Sequence, residues 1–413
     1  MLLHMLLIFS FGAVDCAKIL FFTYIPSVSH QYVFQSIWKE LSLRGHEVTA
    51  IATDPLHDTS LTNLREIDVS VGYKTFEKFD YSNLSSEAVG IFGTTDGFIE
   101  SFMYALNLEM QTEEFQDLLK KPEDYFDLLI VETHNPTAFG IQNKFTAPMI
   151  GISSMAGANI LYEFLGSPVH PILYPEVTVE QDVTDFNLSL STKFYRLFIG
   201  LGLWLKYNFH YFQQAEIDAQ KYFGKGKHHI VDTIRNLDLL LVNTNPIFSN
   251  RRPNAPNIIE YYNVHEGRRN SMNDDLQKIL DDAKEGAIYF SLGTNVRFDH
   301  VQGNIKQAIL EALGELPYRA RVQELRSIFL DQPMSGIDRI IWWCEYVIRH
   351  KGAKHLRSPS ADIPLYEYFM LDVFAVIFTA LFVMYKIVIF AVRRLVGPLG
   401  GRKNKEASEK KTN

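Results

Sequence analysis

The chain has 413 residues, 47% of them apolar and 21% charged, which is a globular composition with enough apolar material for two domain cores. The formal net charge is −8, and residues 393–413 carry seven lysines and arginines against two glutamates, so the remaining body is more acidic still. An acidic body gives no electrostatic reason to expect a nucleic-acid partner. The two cysteines, Cys16 and Cys344, exclude a cysteine-based zinc site, and no metal is expected.

The first segment, residues 1–17, predicts a secretory signal peptide. An apolar run from Leu6 to Gly12 is followed by small residues that end at Ala17, as at a signal cleavage site. The alternative is a buried first strand, but residues 18–23 already supply a strand-like run directly afterwards. We therefore expect a mature chain that begins near Lys18 and enters the secretory pathway.

Residues 369–392 predict a single transmembrane helix. The segment is almost entirely apolar from Val373 onwards, and about 20 residues at roughly 1.5 Å each reach about 30 Å, the thickness of a bilayer core. Lys386 lies in the half nearest the C-terminus, where its side chain can extend toward water. The basic residues 393–413 follow, which is the positive-inside pattern. The sequence predicts type I topology, with the body in the lumen, the tail in the cytosol and the helix in contact with lipid.

The C-terminus carries a candidate address. Lys410 and Lys411 stand at the fourth and third positions from the end, as in a dilysine retrieval signal, which places the protein in the endoplasmic reticulum membrane. The alternative is a solvated charge run. The triplets that begin at Asn83 and Asn187 are glycosylation acceptors, which fit a luminal body.

Near-continuous apolar runs alternate with helical patterns through residues 18–265. The runs predicted as strands are residues 18–23, 47–52, 126–131, 148–152 and 237–243. Such runs are typical of a parallel sheet that is covered on both faces. The sequence therefore predicts a Rossmann-like α/β domain, in which residues 32–44 form the first helix. The aromatic segment 194–212 is interpreted as a helix packed on the sheet, with contact to a membrane surface as the alternative.

Residues 266–368 have a different pattern, with one strand-like run among helices. The predicted strand is residues 287–291, and the predicted helices are residues 274–283, 304–316, 318–330 and 336–351. A lone strand cannot build a doubly wound domain, which needs several. This region is therefore interpreted as a truncated second domain.

Several stretches resemble the UDP-glycosyltransferase family, in particular its insect glucuronosyltransferase-like members. These stretches are IPSVSHQ (25–31), LSLRGHEVT (41–49), APMIGISS (147–154), IYFSLGTN (288–295), FLDQPMS (329–335) and WWCEYVIRHKGA (342–353). The resemblance implies the two-domain GT-B fold, an N-terminal domain that binds a small lipophilic acceptor, and a C-terminal domain that binds a UDP-sugar. It also implies an inverting hexosyl transfer in which the UDP-sugar is a co-substrate and no metal or cofactor takes part.

The resemblance also implies roles for particular residues. His30 stands where the family has the base that removes the acceptor proton, and a carboxylate orients that base. The carboxylate is assigned to Glu132, with Asp127 as the alternative, although Asp127 lies at the far end of the same predicted strand. On the donor side the resemblance leaves Ser291, Gly293 and Thr294, a short turn after a strand that can approach phosphates.

The family's other donor-binding motifs do not occur, because the sequence passes directly from the helix that ends at Leu316 into the helix that begins at Tyr318. A base without a bound donor lacks positioning and leaving-group stabilisation, which are the larger catalytic contributions. Little or no sugar transfer is therefore expected from this chain alone. The alternative is a non-catalytic form that binds acceptors, or that modulates full-length relatives by forming oligomers with them.

Overall fold

The computed structural model describes residues 16–80, 90–176, 188–249, 251–264, 272–284, 286–291, 307, 311 and 318–409. The chain divides into two compact units, Met1–Ala361 and Asp362–Asn413. Several predicted features lie outside the described residues: most of the signal peptide, the glycosylation acceptors Asn83 and Asn187, and the dilysine pair Lys410 and Lys411.

The first unit is built on a sheet of seven parallel strands. The strands are β1 (Lys18–Phe22), β2 (Glu47–Ala52), β3 (Leu64–Asp68), β4 (Leu128–Glu132), β5 (Met149–Ser153), β6 (Leu239–Asn243) and β7 (Ile258–Tyr261). Their order across the sheet is β3-β2-β1-β4-β5-β6-β7, and every neighbouring pair is parallel. The chain therefore reverses its direction of growth between β1 and β4, which creates the crevice where open parallel sheets place ligands.

Helices cover both faces of this sheet. The α-helices of the first unit are α1 (Val28–Leu43), α2 (Thr75–Lys78), α3 (Gly90–Glu109), α4 (Glu113–Leu118), α5 (Asn159–Phe164), α6 (Leu190–Lys206), α7 (Phe212–Phe223), α8 (Ile230–Arg235), α9 (Asp274–Asp282), α10 (Tyr318–Leu330) and α11 (Gly336–His350). Shorter 3₁₀ turns occupy Ser70–Lys74, Pro136–Asn143, Lys354–Leu356 and Pro359–Ala361, and a π-helical turn joins α6 to α7 at Tyr207–Tyr211.

The core consists of two apolar layers, one on each face of the sheet. Leu20 and Phe22 of β1 belong to one layer, and Ile19 and Phe21 belong to the other, because alternate strand residues point to opposite faces. Every residue of β4 and of β5 is buried. This explains why the two strands read as continuous apolar runs in the sequence rather than as alternating ones.

The predicted parallel α/β sheet is confirmed, and the five predicted strands correspond to β1, β2, β4, β5 and β6. Two outer strands were missed. β3 has the sequence LREID and β7 has the sequence IIEY, and both include exposed or half-exposed residues. An outer strand has a partner on one side only, so its sequence carries polar residues that hide the strand pattern.

The predicted buried strand at residues 287–291 is wrong. Residues 286–291 have no regular structure and are exposed, including Ile288, Tyr289 and Phe290. A strand requires a neighbouring strand to bond its backbone groups, and the described residues on both sides of this run, 272–284 and 318–361, are helices and turns. Ser291 is correspondingly exposed, and Gly293 and Thr294 lie outside the described residues.

Helix α11 belongs to the N-terminal sheet, although the sequence suggested that it was part of a second domain. Ile340, Ile341, Cys344 and Val347 are fully buried in the same apolar layer as Trp38 of α1. The helix begins at a cap in which the Ser335 hydroxyl accepts from the backbone N–H of Asp338. The compact unit accordingly extends to Ala361, and the domain boundary at residues 265–266 stays a prediction.

Helix α6 lies on the molecular surface with much of its apolar side exposed. Among its residues only Arg196, Ile199 and Leu203 are buried, whereas Phe194 and Phe198 are more than half exposed. The segment therefore forms the predicted helix, but only the narrow stripe of Arg196, Ile199 and Leu203 is buried against other parts of the unit.

The second unit contains α12 (Leu365–Tyr368) and α13 (Leu371–Glu409). Residues Leu371–Arg394 of α13 are long and apolar enough to cross a membrane, by length and composition. The predicted span of residues 369–392 coincides with this part of the helix. Membrane insertion itself stays a prediction.

Candidate active site

Three side chains meet at the carboxyl edge of the central strands. His30 lies in the first turn of α1, which follows β1 and begins at Val28, rather than ahead of the helix that the sequence predicted at residues 32–44. Glu132 is the last residue of β4, and Ser154 follows the last residue of β5. Because β1 and β4 are the strands at which the sheet order reverses, these residues line the crevice of the fold.

The His30 imidazole is held through its Nδ1 atom. Nδ1 lies 2.7 Å from Ser154 Oγ and 3.5 Å from Glu132 Oε1. When Nδ1 carries the proton and donates it toward these oxygens, Nε2 is the nitrogen that can accept a proton from another molecule. The side chain of His30 is 14% exposed, so it can be reached from the crevice. This is the arrangement of a general base fixed by a second group.

Glu132 is fully buried and is fixed by the loop that follows β1. Its Oε2 atom accepts hydrogen bonds from the backbone N–H groups of Tyr24 at 3.0 Å and Ile25 at 3.2 Å. Two backbone donors aimed at one oxygen stabilise a carboxylate anion. Since Oε2 is occupied in this way, Oε1 is the oxygen that faces His30.

His134 lies on the other side of the same carboxylate. Its Nδ1 is 3.7 Å from Glu132 Oε1, and its ring centroid is 5.4 Å from that of His30. Burial lowers the pKa of His134 to about 4; the Glu132 carboxylate opposes this shift and His30 adds to it. His134 is therefore neutral at physiological pH.

Two further buried groups lie near Glu132. Tyr24 bonds through its hydroxyl to the backbone of Asn135, and burial together with the nearby Glu132 raises the pKa of that hydroxyl. Glu109 is completely buried at the end of α3, and burial raises its pKa well above the usual range, with the Glu132 charge as the second cause. Neither carboxyl oxygen of Glu109 has a hydrogen-bond partner among the described residues.

A small apolar pocket of about 60 Å³ adjoins the site. Thr133 and His134 form one wall of the pocket. The other lining side chains are mainly apolar and aromatic, and they include Phe139, Ile160, Leu161, Tyr207 and Phe212. The pocket is much smaller than the roughly 300–1,000 Å³ of a complete small-molecule site, so it can take only an apolar part of a ligand.

Comparisons with known proteins identify relatives of this chain. A family model described as UDP-glucoronosyl and UDP-glucosyl transferase matches residues 301–403. UDP-glucosyltransferase 2 of Dactylopius coccus is 23% identical over an alignment of 469 positions, which covers 86% of this chain and 89% of that protein. The chain belongs to the UDP-glycosyltransferase family.

Other relatives have similar names. The ecdysteroid UDP-glucosyltransferase of Spodoptera littoralis nuclear polyhedrosis virus is 25% identical over 355 positions, which covers 80% of this chain and 67% of that protein. Among solved structures, a UDP-glucosyltransferase from Polygonum tinctorium is 13% identical with a TM-score of 0.31, and the match covers 65% of this chain and 56% of that one. This UDP-glycosyltransferase family member thus spans about half the length of the solved structures it matches.

The structure brings together His30 and Glu132, the two site residues that the sequence placed in the acceptor half of this family member. Asp127, the alternative carboxylate, lies at the opposite edge of the sheet, where its Oδ2 accepts from the backbone N–H of Lys18 at 2.7 Å. Four residues of extended strand separate it from Glu132, and strand geometry places the two on opposite edges.

Sequence reasoning missed Ser154 and His134 as site residues of this family member. Ser154 ends the APMIGISS stretch and His134 follows Glu132 by two residues, so both lie close in sequence to positions that carried the resemblance or an assigned role. A serine after a strand and a histidine in a loop are common, and only the parallel pairing of β4 with β5 and β1 brings them to His30.

Proposed function

We propose that this chain transfers a hexose, glucuronosyl or glucosyl, from a UDP-sugar to the hydroxyl group of a small lipophilic acceptor. The observation that supports the proposal most directly is the position of His30 at the crevice of the sheet, hydrogen-bonded to Ser154 Oγ and 3.5 Å from Glu132 Oε1. Family membership supplies the reaction class, and the geometry supplies the base.

The proposed chemistry is an inverting displacement. His30 Nε2 removes the acceptor hydroxyl proton while the acceptor oxygen attacks the anomeric carbon of the sugar, and the bond from that carbon to the UDP phosphate oxygen breaks. Glu132 offsets the positive charge that develops on the His30 ring, and its two backbone bonds hold it in place for this. No metal or cofactor is needed in this scheme, because UDP is the leaving group and His30 is the proton acceptor.

A lipophilic acceptor is supported by the apolar pocket beside His134. Phe139, Leu161 and Phe212 line this pocket together with His134, and burial of apolar surface is the main source of affinity for such ligands. A relative named for an ecdysteroid substrate fits the same ligand class.

The donor side supports a second candidate function, a non-catalytic form that binds acceptors or modulates full-length relatives. The alignment with the Dactylopius protein has 469 positions, more than the 413 residues of this chain, so part of that protein has no counterpart here. The donor turn predicted around Ser291 begins in an exposed, irregular segment. We expect weak transfer for this reason, since donor positioning is a large part of the rate enhancement.

The proposed location is the endoplasmic reticulum membrane, with a luminal body and a cytosolic tail. Helix α13 is apolar over Leu371–Arg394, and basic residues follow it in the sequence. The proposed partners are therefore the acceptor, the UDP-sugar, membrane lipid and, in the second candidate function, full-length relatives in an oligomer.

The test is UDP-sugar-dependent transfer by the full chain in microsomes, with labelled UDP-glucose and UDP-glucuronic acid and a panel of lipophilic alcohols. We expect the His30→Ala variant to lose about 10²- to 10⁴-fold in rate, which is the usual contribution of a general base. The matched control is His229→Ala, an exposed histidine at the start of α8, which should keep full activity. Acceptor binding without transfer by the unaltered chain would favour the non-catalytic function. Transfer that survives His30→Ala would contradict the proposed base.

A further inference from the structure

The base of the candidate active site is also part of a cluster of potential metal ligands. Within the described part of the chain, His30, Glu132 and His134 form one such group, and their ligand atoms all lie within 4.8 Å of one another. We propose that this cluster binds Zn²⁺ through His30 Nδ1, Glu132 Oε1 and His134 Nδ1, and that bound zinc inhibits the enzyme. The metal is a regulatory ligand in this proposal and takes no part in sugar transfer.

The spacing of the three atoms fits a tetrahedral metal. Glu132 Oε1 lies 3.5 Å from His30 Nδ1 and 3.7 Å from His134 Nδ1. With metal–ligand bonds of about 2.0–2.1 Å and tetrahedral angles, neighbouring ligand atoms are separated by about 3.3 Å. The central oxygen is therefore within a few tenths of an ångström of the required distance to both nitrogens. The ligand atoms as a set lie within 4.8 Å of one another, so rotation of the two imidazoles toward each other completes the site.

The ligand atoms are also short of partners, which is unusual for buried polar groups. Glu132 Oε1 and both ring nitrogens of His134 are buried and make no hydrogen bond among the described residues. The other carboxylate oxygen, Oε2, is held by the backbone N–H groups of Tyr24 and Ile25. These backbone bonds anchor the carboxylate and leave its other oxygen free between two imidazoles. Second-shell hydrogen bonds orient the ligands of metal sites in the same way.

The ligand chemistry selects zinc over the abundant hard cations. Two imidazole nitrogens and one carboxylate oxygen suit Zn²⁺, whereas Mg²⁺ and Ca²⁺ prefer all-oxygen sites. The side chains of His30 and His134 are 14% and 17% exposed, so the cluster lies close to the surface of the crevice.

Zinc at this position would disable the proposed base. Coordination of His30 Nδ1 replaces the bond to Ser154, and the positive charge of the ion weakens proton acceptance at Nε2. The ion also coordinates Glu132, the carboxylate that would otherwise offset the positive charge on the His30 ring. The inhibition rests on the proposed function, whereas the binding itself does not.

The first experiment measures Zn²⁺ binding to the detergent-solubilised full chain by competition with a chromogenic chelator, with Co²⁺ absorption as a second readout. We expect one zinc ion per chain and no comparable binding of Mg²⁺. The His134→Ala and Glu132→Gln variants should each bind zinc about tenfold or more weakly, since loss of a ligand costs at least as much as loss of a second-shell contact. Bound Co²⁺ should show the visible absorption of a tetrahedral site in the unaltered chain and lose it in the His134→Ala and Glu132→Gln variants.

A matched control uses another pair of neighbouring histidines, His350 and His355, whose ring centroids are 6.2 Å apart. The double variant His350→Gln/His355→Gln should bind zinc as the unaltered chain does. Ser154→Ala should bind zinc about threefold or more tightly, because Ser154 no longer competes for His30 Nδ1. A misfolded variant would not show tighter binding, so this result separates a lost ligand from a lost fold.

Zinc binding that is unaffected by His134→Ala, or that disappears with the His350/His355 double variant, would overturn the proposal. Unchanged or weaker binding by Ser154→Ala would also contradict it. Specific binding by a chain that transfers no sugar would leave the zinc site established and the proposed transfer wrong. Transfer that zinc does not inhibit, in a chain that binds zinc at this cluster, would refute the regulatory half of the proposal.

Discussion

At the residue scale, two buried carboxyl groups in and near the site, those of Glu132 and Glu109, have opposite surroundings. Glu132 receives two backbone N–H bonds and faces two imidazoles, so a negative charge on it is well supported. Glu109, buried nearby, has no such partners within the described residues, and its pKa is raised well above normal. A buried carboxyl group without partners remains protonated. Its oxygen lies against Gly72, where any side chain would collide with it.

Glu109 makes stability depend on pH. Its folded-state pKa is raised, so its contribution to stability is fully present below about pH 4.5 and is lost as the pH rises toward the folded-state pKa. The Glu109→Gln variant cannot ionise and should lose this dependence. We expect its free energy of unfolding, relative to the unaltered chain, to increase between pH 5 and pH 8 by at most about 1.4 kcal/mol per pH unit. Thermal unfolding at several pH values measures this.

The control for this prediction is Glu114→Gln, which changes an exposed glutamate in the first turn of α4. Its stability relative to the unaltered chain should be nearly constant over the same pH range. If Glu109→Gln behaves like Glu114→Gln, Glu109 ionises in the folded protein and the account of its burial is wrong.

At the element scale, the placement of α11 on the sheet shows how distant parts of the chain complete one core. Its buried face joins α1 in covering the same layer, and the side chain of Arg44 at the end of α1 lies 2.6 Å from Asp338. Asp238, at the start of β6, accepts a hydrogen bond from the backbone N–H of Ala353 just after α11. These contacts join segments more than 100 residues apart in sequence.

The Ile340→Ala variant tests whether α11 is part of this core. Ile340 is fully buried, so truncation should cost about 2–5 kcal/mol of stability. The matched control is Ile328→Ala on α10, where the same change at a side chain that is 51% exposed should cost about 0.5 kcal/mol or less. Chemical denaturation measures both. Equal small losses would show that α11 does not cover the sheet.

At the scale of the whole molecule, the two units have different surroundings. Apolar side chains are exposed all along Leu371–Arg394, and none of this segment is buried. A helix that is apolar all round needs either a protein core or a lipid core to cover it. The composition of this helix, followed by a basic tail, favours lipid.

Membrane insertion can be tested with the full chain. We expect it to remain in membranes after alkaline carbonate extraction, and the Leu381→Arg/Val383→Arg variant to be released, since each central arginine costs about 2.5–3.5 kcal/mol of insertion energy. Ala407→Arg, a change in the basic tail, is the control and should remain bound. If the body is luminal, glycosidase treatment should lower the mass of the unaltered chain. The Asn83→Gln and Asn187→Gln changes together should abolish this difference. Extraction of the unaltered chain by carbonate would contradict the span.

The sequence by itself determined the parallel α/β layout and the apolar helix near the C-terminus, and it predicted that His30 pairs with a carboxylate, Glu132 or, as the alternative, Asp127. These follow from local periodicity, from segment length and from a family resemblance carried by short motifs. Only the tertiary structure decided that Ser154 and His134 meet His30, that α11 completes the N-terminal core, and that residues 287–291 are exposed. Each of these depends on which distant segments become neighbours. Burial and strand pairing are properties of that neighbourhood, which a single local pattern does not contain.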